Sequence, residues 1–132
     1  MIYLDSSAAV KLVHAEAESL ALRHWLDARV DAPWVSSVLL EIETYRALAR
    51  HAPAALPRLS QVLDVIDLVG LDAEIRAGAR EVGPVGVRSL DAIHLATALR
   101  IPGLTAFVAY DARLADAAAA AGLPVEAPAS AE

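Results

Sequence analysis

Carboxylates are distributed along this chain in a pattern that can do chemistry. Asp5 follows the apolar run 1–4, and Asp111 follows the run 105–110. Each run reads as a short buried strand, so both acids stand where a strand gives way to a helix. In an open parallel sheet the carboxyl ends of the strands face one crevice, and ligands bind there. Two such acids meet at that rim when their strands are neighbours. Asp91 lies in the first turn of a helix over 89–100 that is apolar on nearly every side, which places it between layers. The helix N-terminus favours its charge, but a dehydrated carboxylate still needs a partner. The helix over 38–50 offers both Glu41, within the apolar arc between Tyr45 and Leu48, and Glu43, on the flank with Arg46 and Arg50. Residue type and spacing leave the choice between them open. Each acid also has a plainer duty: capping for Asp5 and Asp111, dipole stabilisation for Asp91, and a surface ion pair with Arg46 for Glu43.

Three or four carboxylates sharing one pocket repel one another and raise one another's pKa values. A hard divalent cation relieves that repulsion, and an all-oxygen donor set suits Mg²⁺, with Mn²⁺ as a substitute. Zinc is the weaker candidate, because the chain has no cysteine and only four scattered histidines. Mg²⁺ serves phosphate chemistry by orienting the phosphate, neutralising developing charge and activating a water. The residues thus point to a Mg²⁺-dependent phosphoryl-transfer site, with the substrate left unnamed.

The elements that must position these acids are short and alternate in type. Strands are predicted at 1–4, 34–35, 65–69 and 105–110, with a weak edge strand at 123–125. Helices are predicted at 8–13, 16–29, 38–50, 54–63, 72–82, 89–100 and 112–121. Ser6 and Ser7 are cap candidates for the first helix, Asp72 and Ser89 for two later ones, and Gly122 ends the last. Short apolar strands separated by helices, with no hairpin dipeptide, indicate an α/β fold: three layers, with a short central parallel sheet flanked by helices. One domain over 1–126 is expected, followed by a tail over 127–132 that is small, polar and expected to fray.

Composition limits what such a site can act on. The chain has 132 residues and no cysteine, which suits a single core without disulfides or thiolate metal sites. No apolar run approaches the ~18–20 residues needed to span a bilayer, and the N-terminus lacks the basic region of a signal peptide. A cytoplasmic protein is expected. The 57% apolar content includes 30 alanines, in keeping with closely packed helices. A net charge of −6 argues against bulk binding to nucleic acid or anionic membrane, but not against a nucleic acid met locally through arginines and a metal.

Four stretches in order carry a resemblance that spans essentially the whole chain. They are Ile2-Tyr-Leu-Asp5-Ser-Ser7 with the helix after it, Ser36-Ser37 through Glu43-Thr-Tyr-Arg46-Ala-Leu48, Leu90-Asp91-Ala-Ile-His94-Leu-Ala-Thr-Ala98, and Tyr110-Asp111-Ala-Arg113-Leu114 with Gly122. Together they resemble the PIN-domain nucleases, and within them the VapC-type toxins of bacterial toxin–antitoxin pairs. The resemblance implies an acidic pocket binding Mg²⁺ or Mn²⁺, cleavage of RNA phosphodiesters, inhibition by a cognate VapB-like antitoxin, and a homodimer formed through apolar helices of the middle of the chain. It implies Asp5, Asp91 and Asp111 as metal-associated carboxylates. It also selects Glu43 over Glu41 as the helix acid, because Glu-x-x-Arg-Ala-Leu fits the family register. Ala109 departs from the pattern, since many relatives carry a hydroxyl there. Asp116 is an additional acid one turn into the last helix, expected on the surface.

Arg46, Arg88 and Arg113 are candidates for RNA phosphate contacts, along with Arg50, since a guanidinium matches a phosphate in a bidentate fork. His94 is expected to be a buried histidine satisfied by a neighbouring carbonyl or carboxylate, ahead of a role as general base. His14, His24 and His51 have no carboxylates around them and read as surface. Other readings remain: a non-catalytic PIN-like binding module, or another Mg²⁺-dependent phosphotransfer protein of similar topology. A phosphatase with an aspartyl nucleophile would want an acid at position 7, where this chain has Ser7. A response-regulator receiver would want a late lysine, and the only lysine is Lys11.

Overall fold

Every strand of the central sheet is three or four residues long except the two-residue edge, so each delivers its last residue straight to one rim. The computed structural model describes residues 1–130. Strands β1 (Ile2–Leu4), β2 (Trp34–Ser37), β3 (Ile66–Val69), β4 (Ala106–Val108) and β5 (Val125–Glu126) form one sheet. All its pairings are parallel, in the order β3-β2-β1-β4-β5. From β1 the chain fills one side of the sheet with β2 and β3, then crosses to fill the other with β4 and β5. The β1–β4 boundary is therefore the topological switch point, where the crevice of such a sheet lies. Leu4 pairs with Val108 there, and the Asp5 N–H donates to the Val108 carbonyl at 3.0 Å.

The side-chain alternation of the strands splits the core in two. Ile2, Leu4, Ala106 and Val108 pack against helices α1 (Ser6–Val13) and α2 (Ser19–Asp27). Tyr3, Val35 and Phe107 face the other way, against α6 (Ser89–Leu99) and α7 (Ala112–Ala120). The rings of Tyr3 and Phe107 stack with centroids 5.0 Å apart. A third cluster joins α1 to α3 (Leu39–His51) and α4 (Leu59–Leu63) through Val13, Leu48 and Leu59. Helix α5 (Ala73–Glu81) lies against α6, where the ideal Cβ position of Gly78 is 3.5 Å from that of Ala96. The predicted α/β sandwich and its parallel sheet are what the chain adopts.

Several boundaries differ from expectation for local reasons. Helix α1 starts at Ser6 and is capped by Asp5, whose carboxylate accepts from the Ser7 N–H at 3.2 Å, so neither serine is the cap. Helix α2 starts at Ser19, later than predicted, because the Ser19 hydroxyl accepts from the Glu16 N–H at 2.8 Å and holds the preceding residues in a turn. The helix predicted over 54–63 is a 3₁₀ turn, Pro53–Arg58, followed by the short α4. Pro57 has no N–H to continue an α-helical ladder. Ser89 lies inside α6, which Arg88 precedes without a side-chain cap. Gly122 does end α7, with φ at +89°, a conformation that glycine adopts without strain. The described part of the tail is tethered: the Tyr110 hydroxyl donates to the Pro128 carbonyl at 2.7 Å. The rest of the tail, 131–132, lies outside the described residues.

Candidate functional site

Asp5 emerges from β1 into the crevice and is almost fully buried, 4% exposed. Its Oδ2 accepts from the Ser7 hydroxyl at 2.8 Å as well as from the Ser7 N–H. That hydroxyl in turn accepts from the Tyr110 N–H at 2.9 Å, so the neighbouring strand's exit is tied to the same group. Two hydrogen bonds from Ser7 thus fix the Asp5 carboxylate before any ligand arrives, and the Tyr110 N–H fixes Ser7. Ala109, where the expected hydroxyl is missing, is buried just after β4, and the hydroxyl that reaches Asp5 here is that of Ser7.

Glu43 reaches the same place from α3. Leu40, Thr44 and Leu48 form the buried stripe of that helix, with Glu43 half-buried beside them. Glu41 is exposed, contrary to its placement in the apolar arc, because Tyr45 on its side of the helix is itself 55% exposed. The Glu43 carboxylate accepts from His94 Nε2 at 2.6 Å. Its partner is therefore this imidazole, not Arg46. The same nitrogen lies 3.7 Å from Asp5 Oδ1. On the far side of the ring, Nδ1 is 2.7 Å from the Tyr3 hydroxyl, which also accepts from the Ser37 N–H at 3.2 Å. Burial opposes charge on His94, but the hydrogen bond to Glu43 and the charges of Asp5, Glu43 and Asp91 outweigh it, and its pKa lies above the ordinary histidine value. Burial raises the Tyr3 phenol far above the ordinary tyrosine value, so it stays protonated.

Asp91 and Asp111 complete the rim from α6 and from the residue before α7. A cavity of about 310 Å³ is lined by Asp5, Asp91 and Asp111, with Ser7, Lys11 and Glu16 at its edge. Asp111 is exposed and caps α7, accepting from the Leu114 N–H at 3.0 Å. Asp91 is half-buried and makes no side-chain hydrogen bond among the described residues. Partial burial pushes its pKa up, and the charges of Asp5, Asp111 and Glu43 push it further, against a smaller opposing pull from His94. Lys11 does not neutralise these acids directly: its ammonium is 2.8 Å from Glu18 and 3.3 Å from Glu16, and it lies over the Tyr110 ring at 4.7 Å.

The donor chemistry fits a hard cation. All the acids offer oxygen, and Asp91 is held in a field of like charge that a cation would cancel. Among the described residues no three His, Asp or Glu side chains close into a ready coordination sphere. Mg²⁺ usually takes only one or two protein carboxylates and fills its octahedron with water, so three aspartates around an open pocket suit it better than a tight cage would.

The predicted arginines divide. Arg88 and Arg113 are exposed and line a second cavity of about 320 Å³, which shares Asp91 with the acidic pocket and has Asp116 at its edge. Arg46 does not line the acidic pocket. It follows Tyr45 on the outer side of α3, at a groove of about 530 Å³ formed with Ile42, Leu56, Leu59 and Leu63, while Ala47 faces the acids. Arg50 lies further along that outer side with Tyr45 and Arg46. His94 is the buried, satisfied histidine expected, with a carboxylate as its partner. Tyr3 was absent from the predicted site. Its signal is a phenol in an otherwise apolar buried strand, whose hydroxyl needs a partner as His94 does.

A parallel α/β sheet whose switch point gathers Asp5, Asp91 and Asp111 around one pocket, with Glu43 sharing the His94 Nε2 contact with Asp5, defines an α/β protein with an acidic site at the strand ends. Residues 2–120 match the PIN domain family. The chain is 47% identical over 131 residues to Ribonuclease VapC35 of Mycobacterium tuberculosis, covering 97% of each sequence. It is 43% identical over 120 residues to Ribonuclease VapC47 of the same species, covering 86% of this chain and 87% of that one. Two solved structures share the fold. Mycobacterium tuberculosis VapC20, described as a Sarcin-Ricin loop cleaving toxin, matches with a TM-score of 0.74 at 21% identity, over 97% of this chain and all of that one. FitAcB from Neisseria gonorrhoeae matches with a TM-score of 0.67 at 18% identity, over 95% and 96%. The chain belongs to the PIN-domain family, among its VapC-type members.

Proposed function

We propose that this protein is a Mg²⁺-dependent endoribonuclease, with Mn²⁺ able to replace Mg²⁺, acting as the toxin of a VapBC-type pair. The observation that carries this reading is the gathering of Asp5, Asp91 and Asp111 around one pocket at the β1–β4 switch point, with Asp91 raised in pKa by burial and by its acidic neighbours. Family membership and the ribonuclease names of the relatives supply the substrate class. Asp5, Asp91 and Asp111 would hold the metal. When bound there, it supplies positive charge for the scissile phosphate and an activated water for in-line attack.

The chain's own residues do the rest. Ser7 holds Asp5 turned into the pocket, and His94 holds Glu43 beside it. Arg88 and Arg113, across Asp91, are placed to take the neighbouring phosphates of the RNA strand. Since the protein carries a net charge of −6, RNA must be held at this local patch and through the metal. A VapB-like antitoxin would inhibit by covering the pocket, with an arginine among the carboxylates as the simplest stopper. A homodimer is supported by Ile42 and Tyr45, more than half exposed on α3 beside the apolar groove. A cytoplasmic location goes with an RNA target; among the described residues no helix is long and apolar enough to cross a membrane.

Asp5→Asn and Asp91→Asn test the mechanism. Each is expected to cut cleavage of an RNA oligonucleotide by at least ~100-fold while leaving the far-UV circular dichroism unchanged. Full activity in both variants would refute it.

A further inference from the structure

The tightest hydrogen bond at the site involves a residue that cannot reach substrate. His94 is completely buried, yet its Nε2 is 2.6 Å from Glu43 and 3.7 Å from Asp5, and its Nδ1 is 2.7 Å from the Tyr3 hydroxyl. Four elements meet in this one chain of contacts: β2 through the Ser37 N–H, β1 through Tyr3, α6 through His94 and α3 through Glu43. Glu43 is the only one of the four rim acids that approaches on a long side chain from mid-helix. Unheld, it would sample several rotamers, each staggered about its own torsions.

We propose that His94 is the positioning residue of the site: its Nε2–H aims the Glu43 carboxylate beside Asp5, and the Tyr3 hydroxyl sets the plane of the ring. The inference rests on the ribonuclease reading above and adds to it a cause for the placement of Glu43. Geometry gives the direction of the effect. An ionised carboxylate only accepts, so Nε2 donates to Glu43 whether the ring is neutral or charged. In the neutral ring Nδ1 accepts from Tyr3, whose oxygen already accepts from Ser37, and every donor in the series then points toward the carboxylate. Bonds aligned in one sense polarise one another. The imidazole also separates two carboxylates that would otherwise repel. The T-shaped packing of the ring on Tyr3, with centroids 5.8 Å apart, leaves it little room to turn.

The test compares two amides and a double-mutant cycle. In His94→Gln the amide nitrogen falls near the position of Nε2 and can still donate to Glu43, whereas in His94→Asn it falls near Nδ1 and cannot. His94→Asn is expected to lower kcat about 10- to 100-fold with little change in KM, the size of loss typical when a residue orienting a metal-site group is removed. His94→Gln should stay within about fivefold of the parent, and Tyr3→Phe should fall between the two. Mn²⁺ affinity, read by electron paramagnetic resonance of the free ion, gives a readout independent of turnover. His94→Asn and Glu43→Gln should weaken it by similar factors, and by no more when combined, since both remove one oriented carboxylate. If His94→Asn keeps parental kcat and Mn²⁺ affinity while Glu43→Gln loses them, the positioning role is wrong and the ribonuclease reading stands. If both amides lose alike and their losses multiply with that of Glu43→Gln, His94 serves the fold alone and the proposal is overturned. If the parent protein neither cleaves RNA nor binds Mn²⁺, the underlying reading fails and takes the proposal with it.

Discussion

Asp5 and Glu43, on the β1–α3 side of the crevice, are held by hydrogen bonds from Ser7 and His94. Asp91 and Asp111, on the α6–β4 side, line open space and are held by little more than the helices that carry them. The first pair is set in the core, where Tyr3, Ser37 and the Tyr110 N–H brace the groups that brace the acids. The second is exposed to water and to like charge. The difference separates two jobs that acidic sites combine. A braced carboxylate supplies geometry, since its orientation is fixed before ligand arrives. Asp91, unbraced, supplies electrostatic demand, because burial and its acidic neighbours make its ionisation costly until a cation shares the pocket.

The largest expected break in this contrast comes from Asp91→Asn. Cleavage should fall by at least ~100-fold, yet the ion-free protein should become more stable at neutral pH. The sign follows from the raised pKa of Asp91. Below the ordinary aspartate value of 3.8 the group is protonated in both folded and unfolded states and costs nothing. As pH rises through its elevated folded value, the folded state must carry a charge it disfavours, and stability is lost. Thermal melts of the two proteins should therefore coincide near pH 3.5 and separate toward pH 8. The gap should be modest, about 0.5 kcal/mol, since Asp91 is only half-buried and solvent screens it. Asp5→Asn should lose activity with no such gain, because it leaves the Ser7 hydroxyl and N–H facing a poorer acceptor.

Next in size is the response to the ion. Mn²⁺ at a hundred times its dissociation constant should stabilise the parent protein by about 2.7 kcal/mol, a rise of several degrees in Tm by calorimetry. Asp91→Asn should abolish most of that rise. Arg88→Ala and Arg113→Ala should act more weakly and differently, raising KM about 5- to 10-fold each with kcat nearly unchanged, as expected for groups that bind ground and transition states alike. Steady-state kinetics at two salt concentrations checks this, since screening should shrink both effects. The smallest change is expected from Asp116→Asn, within about twofold in KM, because an exposed acid at the edge of the Arg88–Arg113 cavity contributes little.

The three aspartates were more legible in the sequence than Glu43 and the network that braces it. Asp5 and Asp111 could be found because strand ends are marked by apolar runs, and a parallel sheet sends those ends to one rim. Asp91 could be found because a carboxylate in a helix apolar on nearly every side needs an explanation. Glu43 could not be separated from Glu41 by pattern alone. The apolar arc of α3 includes Ile42 and Tyr45, which the fold leaves more than half exposed, so hydrophobicity misreported which side faces inward. Only the family register pointed to Glu43. Arg46, a candidate because a guanidinium matches a phosphate, lies at the outer groove with Tyr45, a placement that residue type alone does not give. The bracing network joins residues 3, 37, 43 and 94, from four elements, and no local spacing encodes such a contact. The fold class was accessible because alternation of short strands with helices is a repeated signal. Asp72 was legible as a cap and does cap α5, whereas the serines proposed as caps for α1 and α6 do not cap them, and the 3₁₀ turn at Pro53–Arg58 depends on one missing N–H.

Asp5, Asp91 and Asp111 are proposed to enclose a divalent cation site. Anomalous diffraction from crystals soaked in Mn²⁺ tests it most directly. A peak in the pocket bounded by these three aspartates, present in the parent protein and lost in Asp91→Asn, is the predicted result. A pocket without a peak, or a peak that survives Asp91→Asn unchanged, would contradict the account.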